Sequence, residues 1–137
     1  MAKAREEGSE LSLDFAKLDG VAATGQALLP VVVQDAETKE VLILAYANEQ
    51  ALRYTLDNRV AAFWSSSRNQ LWVKGATSGD TLALVEVRVN CEQNSLLYLV
   101  KPQGAGACHT AWPDGRTRAS CYYRRITDDG SLAMVDE

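Results

Sequence analysis

From Leu28 to Pro102 the chain is a succession of short apolar runs, each cut off by Gly, Asn, Ser, Asp or Pro: "LLPVVVQDAETKEVLILAYA", "VAAFWSSS", "QLWVKG", "TLALVEVRV" and "SLLYLVKP". Runs this short are too brief for long helices, and their β-branched and aromatic residues suit a pleated, half-buried surface. The polar "DAETKE" between two apolar stretches is a hairpin signal. "TLALVEVRV" sets Leu82, Leu84, Glu86 and Arg88 against Ala83, Val85, Val87 and Val89, which predicts that the odd-numbered positions face a core. "NEQALRYTLDN" has the spacing of a short amphipathic helix, with Asn48 as N-cap and Asn58 past its end. "LSLDFAKLDG" fits a short helix or a strand. Strands outnumber helices, so the expected class is α+β: a mainly antiparallel β-sheet with one or two short helices.

A chain of 137 residues is long enough for one core without staples. Apolar residues at 47 % and charged residues at 23 % are the balance of an ordinary globular protein. Fourteen Lys and Arg against eighteen Asp and Glu leave a net charge of −4. That argues against a general nucleic-acid or membrane-surface binder, both of which need a basic field. A small phosphorylated ligand needs only a local cluster of donors and stays open. No apolar run reaches signal-peptide or membrane-span length, so a cytoplasmic location is expected. No internal repeat or low-complexity tract interrupts the chain. Residues 1–14 are expected to be a flexible N-terminus, 15–126 the domain, and 127–137 a tail that forms a last short hairpin or a loose end.

"NCEQNSLLYLVKPQGAGACHTAWPDGRTRASCYY" holds all three cysteines, Cys91, Cys108 and Cys121, and the single histidine, His109. In a reducing compartment structural disulfides are not expected, and three thiols cannot all pair. They read either as buried, inert thiols or as ligands. Thiolate suits zinc, and three of them leave a fourth coordination position open for the water of a hydrolytic site. No C-x-x-C knuckle is present, so a zinc ribbon or treble-clef finger is not indicated. His109 is poorly placed to share an ion with the adjacent Cys108. It reads as a general base or proton shuttle, or as a lone histidine bonded at a turn. Asn90 and Asn94 read as turn residues and Glu92 as a surface charge. In "FWSSSRNQLWVKGATSGD", Ser65, Ser66, Ser67, Arg68, Lys74, Thr77, Ser78 and Gly79 supply hydroxyls, cations and flexible backbone that suit a phosphate or ribose-phosphate. A Ser-rich hairpin without a ligand would look the same. Trp64 and Trp72 read as sheet packing before base-stacking platforms.

Together these stretches resemble the phosphoribosyl-AMP cyclohydrolase family of histidine biosynthesis, in order from about Leu29 to Arg124. The resemblance rests on "QDAETKEVLILAYANEQALRYTL", on "FWSSSRNQLWVKGATSGD", and on the cysteine stretch with "CHT" and "SCYYRR". It implies an intertwined homodimer with sites at the subunit interface and one zinc per site. Cys91 of one subunit would join Cys108 and Cys121 of the other. Zinc-bound hydroxide would attack C6 of the adenine of phosphoribosyl-AMP, and the N1–C6 bond would break. His109 would move the protons, and Ser65, Ser67, Arg68, Trp72, Lys74, Thr77, Ser78 and Gly79 would hold the substrate.

The sequence departs from the family at three places. Asp-Cys-Asp-x-Asp, with carboxylates for magnesium, is replaced by Asn90, Glu92 and Asn94 around Cys91, which leaves one charge where magnesium favours hard anionic oxygens. A longer link, "AWPDGRTRA", brings Trp112, Arg116 and Arg118 near the site. Its Pro-Asp-Gly-Arg turn lengthens the loop without moving its ends, so Cys121 is still expected to reach the metal. Ser66 stands where an arginine is common. Three alternatives stay open: a diverged zinc hydrolase for another purine nucleotide, a non-catalytic dimer stapled by zinc, and a metal-free thiol-bearing β domain.

Overall fold

A computed structural model describes residues 2–135. The hairpin signal is met by β1 (Leu29–Asp35) and β2 (Val41–Ala47), which pair antiparallel. Their turn is closed by Asp35 Oδ1, which accepts from the amides of Glu37 at 2.8 Å and Thr38 at 3.1 Å, the local bonding that makes Asp a turn residue. Two helices precede β1, α1 (Ala2–Glu7) and α2 (Lys17–Ala23), and α3 (Glu49–Asn58) follows β2. Asn48 caps α3 as expected, its Oδ1 accepting from Ala51 N at 2.9 Å. Asn58 is the last helical residue rather than lying past the end, and Arg59 takes the left-handed cap at φ 58°. Among the described residues three short helices therefore stand where one or two were expected.

After α3 come the hairpin of β3 (Ala62–Ser65) and β4 (Gln70–Val73), then β5 (Leu82–Val89) and β6 (Leu96–Pro102). The central sheet runs β2-β1-β6-β5. It is antiparallel except at its middle, where β1 and β6 are parallel from Val31↔Leu96 to Asp35↔Val100. Parallel neighbours need a long crossover, and here β2, α3, β3, β4 and β5 supply it. The core gathers Val31, Val33, Leu42, Phe63, Leu82, Tyr98 and Val100, all at most 1 % exposed. The tail forms the expected hairpin, β7 (Arg124–Ile126) with β8 (Leu132–Met134); residues 136 and 137 lie outside the described part.

The expected facing of β5 is corrected. Leu82 and Leu84 are buried, while Val85 and Val89 are 47 % and 54 % exposed. The register explains it: Leu84 pairs with Val100 and Glu86 with Leu99, so Val85 is the extra residue of a bulge. A bulge inverts the phase of the strand beyond it, and only Val87 of the odd set then packs against the core from the far half.

Candidate active site

Cys108 and Cys121 are brought together by backbone pairing. Cys108 N donates to Arg118 O at 3.1 Å and Ala107 N to Ala119 O at 3.1 Å, while Cys121 N donates to Leu42 O at 2.7 Å. Ser120 Oγ adds a bond to Val41 O at 2.7 Å. Glycine is required at Gly106, where a Cβ would lie 2.5 Å from Arg118 O. The longer link folds on itself through Trp112 N→Arg116 O and Gly115 N→Trp112 O, both 2.8 Å. Its ends stay together, as the turn chemistry predicts.

The two thiols influence each other's acidity in opposite directions. Cys108 is the more acidic of the pair. The bond from Cys121 lowers its pKa first; burial opposes this, and Thr110 adds bonds from its hydroxyl and amide. Thr110 Oγ1 is 3.0 Å from Cys108 Sγ. Cys121 moves upward because the Cys108 thiolate accepts its proton and repels its charge.

Beneath this pair sits Arg118, 1 % exposed. Its Nη1 donates to Thr110 Oγ1 at 3.0 Å, and its two terminal nitrogens donate to the Glu7 carboxylate at 2.7 and 2.9 Å. Its guanidinium also lies 4.0 Å from the Tyr123 ring centroid and 4.7 Å from that of Trp112. Glu7 belongs to α1, and the neighbouring Glu6 places Oε2 2.5 Å from His109 Nε2. Tyr123 Oη donates to Glu6 O at 2.7 Å. The polar N-terminus, read from sequence as a flexible segment, is thus a strap across the cysteine region. Glu6 thus fixes the orientation of the His109 ring through Nε2 and leaves Nδ1 outside that contact.

Cys91 is elsewhere. It occupies the turn between β5 and β6, whereas Cys121 hangs from β2, three strands away. Three strand spacings are on the order of 14 Å, far beyond the span of thiolates sharing a zinc with bonds of about 2.3 Å. Among the described residues no group of three or more His, Cys, Asp and Glu could hold a metal. One chain therefore offers a soft, thiolate-supporting pair that fits zinc, but not a complete ligand set. In the Cys91 turn Asn90 Oδ1 accepts from the amides of Asn94 and Ser95, both at 2.9 Å, and Asn90 Nδ2 donates to Asn94 Oδ1 at 2.6 Å. Glu92 is exposed and is the turn's one carboxylate.

Two cavities adjoin through Leu44, Ala45 and Trp72, the first of them reaching Cys121. The first, of about 370 Å³, has apolar walls at Ile43, Trp72, Ala107 and Tyr122 and carries His109, Cys121 and Lys74. The second, of about 220 Å³, shares Leu44, Ala45 and Trp72 with it and is lined by Ser65, Ser66, Ser67, Trp64, Tyr46 and Lys17. Arg68 stands beside the second, its backbone N donating to Ser65 Oγ at 3.2 Å. Thr77, Ser78 and Gly79 line neither cavity; they form the turn after β4, where Ser78 Oγ accepts from Asp80 N at 3.3 Å. Glu6, Glu7, Lys17, Tyr46 and Tyr122 escaped the sequence reading.

The larger of these two cavities sets His109, Lys74 and the Cys121 thiol beside the aromatic walls of Trp72 and Tyr122 on an α+β fold, a candidate active site. Residues 43–123 match the family model described as phosphoribosyl-AMP cyclohydrolase. The phosphoribosyl-AMP cyclohydrolase of Archaeoglobus fulgidus is 49 % identical over 76 % of this chain and 90 % of its own length. That of Salinibacter ruber is 44 % identical over 82 % of this chain and 84 % of its own. That of Hyphomonas neptunium is 48 % identical over 79 % and 76 %. The chain belongs to the phosphoribosyl-AMP cyclohydrolase family, enzymes of histidine biosynthesis. Among the described residues no helix is long and apolar enough to cross a membrane.

Proposed function

We propose that this chain hydrolyses the N1–C6 bond of the adenine ring of phosphoribosyl-AMP, in the cytoplasm, as a homodimer with zinc sites shared between subunits. The observation that carries this reading is the placing of Cys121 and His109 on one cavity, with the buried Cys108 behind them, while Cys91 sits across the sheet. A second copy contributing its Cys91 completes a three-thiolate set. Zinc, when bound, would supply Lewis acidity and a water acidic enough to react near neutral pH. The chain's own residues do the rest. Trp72, Ile43 and Tyr122 offer a purine-sized apolar wall and exclude water. Lys74, 8 % exposed, points a cation into the cavity. His109 takes and returns protons at Nδ1 while Glu6 holds Nε2–H.

The homodimer is supported by surface that one chain leaves open. Arg59 covers the first half of β5, with Leu84 N donating to Arg59 O at 2.9 Å and Arg59 Nη2 to Val85 O at 3.0 Å. Among the described residues the second half, leading to Cys91, has no partner on that edge, and Phe15 is 91 % exposed. Such edges and apolar patches mark association surfaces. Magnesium in this chain has one carboxylate, Glu92, to rely on; the oxygens of Asn90 and Asn94 serve the turn's own donors, so substrate phosphate must complete any such site.

The test is turnover of phosphoribosyl-AMP followed by absorbance, with zinc measured on the same sample. Robust turnover is expected, and zinc without turnover would transfer the reading to another purine nucleotide. Chains carrying Cys91→Ala and Cys108→Ala, each inactive alone, should regain turnover on mixing because the heterodimer rebuilds one whole site. No recovery would remove the shared site. His109→Ala should keep zinc and lose roughly 10²–10⁴-fold in kcat; near-normal turnover would assign the proton transfers elsewhere.

A further inference from the structure

Behind Cys108 lies a chain of polar contacts that begins on α1, a segment outside the family match at residues 43–123. Arg118 is 1 % exposed, and the Glu7 carboxylate accepts from both of its terminal nitrogens, at 2.7 and 2.9 Å. The same Nη1 donates to Thr110 Oγ1 at 3.0 Å, and Thr110 Oγ1 lies 3.0 Å from Cys108 Sγ. A guanidinium only donates, so Thr110 Oγ1 must accept from Arg118. The hydroxyl's own hydrogen then has one acceptor among the described residues, Cys108 Sγ. Thr110 N makes a longer contact with the same sulfur, at 3.5 Å. Two donors therefore converge on Cys108, one of them polarised by a buried cation.

Packing alone does not explain this arrangement. Arg118 Nε is buried without a partner, a cost that an apolar side chain beside Trp112 and Tyr123 would avoid. The buried charge also needs Glu7 in place, so the position depends on the docking of α1. What the ion pair delivers is direction: it turns the Thr110 hydroxyl toward sulfur. Hydrogen bonds of this kind orient a metal ligand, and their loss typically costs about 10- to 100-fold in metal affinity.

We propose that Glu7, Arg118 and Thr110 form a relay that positions the Cys108 sulfur for zinc, so that docking of α1 and binding of zinc support each other. The inference rests on the zinc site proposed above. It adds three positioning residues, none of them a ligand, and couples the N-terminal helix to the metal. Such coupling is reciprocal. Zinc should deepen the protection of α1 by the same factor by which undocking α1 weakens zinc.

The experiment measures zinc affinity of the full chain by competition with a chromophoric chelator. On the same samples, hydrogen exchange is followed with and without zinc at the Gly8 amide, which donates to Ala4 O at 2.8 Å. Thr110→Val keeps the shape and loses the hydroxyl, and it should weaken zinc about tenfold. Thr110→Ser should restore the affinity, which a loss of packing would not allow. Glu7→Gln should weaken zinc about threefold and reduce the effect of zinc on Gly8 exchange. Should Thr110→Val fail to fold, Glu7→Gln decides, since its side chain is 34 % exposed. Unaltered zinc affinity in either folded variant would overturn the proposal, as would zinc uptake that leaves Gly8 exchange unchanged. Relay-dependent zinc without turnover of phosphoribosyl-AMP keeps the relay and removes the proposed activity. Turnover with unaltered zinc affinity in these variants keeps the activity and removes the relay.

Discussion

The two ends of the central sheet carry cysteines in opposite settings. Cys108 is buried and braced from below by Thr110, Arg118 and Glu7. Cys91 is exposed on a turn held by three amide bonds of Asn90 and Asn94. At the braced end Cys108 is held in place by the chain's own bonds. The exposed end is free to be presented to another chain. A site assembled from both would have one buried half and one exposed half, and the former should dominate the stability of the metal-free protein.

That contrast can be broken by zinc content and thermal unfolding taken together. Cys91→Ala and Cys108→Ala should lose zinc alike, yet only Cys108→Ala should destabilise the metal-free chain, by about 1 kcal/mol, because only it removes a buried atom. Equal melting temperatures would erase the distinction. Arg118→Ala should cost about 3 kcal/mol in urea unfolding, since a fully buried side chain with ionic and aromatic partners is lost. A loss below 1 kcal/mol would show that the brace carries little. Asn90→Ala, at the exposed end, should cost about 1 kcal/mol and speed hydrogen exchange at Asn94 and Ser95 alone.

The gentlest probe is acid. The hydrogen bond from Arg118, helped by its charge, holds the Glu7 carboxyl below its usual value of 4.5. A depressed carboxyl pKa stabilises above the unfolded value and is lost as pH falls through the folded one. The strap should therefore hold above about pH 4.5 and release below it, with a change in Trp112 emission, and Glu7→Gln should abolish that step.

What could be read from the sequence was what neighbouring residues decide among themselves. The Asp35 turn, the Asn48 cap and the Pro-Asp-Gly-Arg link follow from bonds spanning a few positions. The cysteine–histidine stretch was legible as a set of residue types, but the distance of Cys91 from the other three was not. The bulge at Val85 was not, because alternation fixes a face only while the register is unbroken. Nor was α1, whose bonds to His109 and Arg118 span more than a hundred positions. A polar stretch with distant partners carries the same local signal as one with none. Lys17, whose bond to Ser66 spans 49 positions, is hidden for the same reason.

The parallel pairing of β1 with β6 has a consequence for how the molecule reaches its native state. β1 and β2 can form as soon as their turn is made, but the seam at the middle of the sheet must wait until Leu96–Val100 exist. Closing so long a loop costs entropy before any contact rewards it, which slows folding. The Glu6 and Glu7 partners come later still, at His109 and Arg118. During synthesis the residues made first are among the last to find their places, and α1 settles only after the whole catalytic half has left the ribosome.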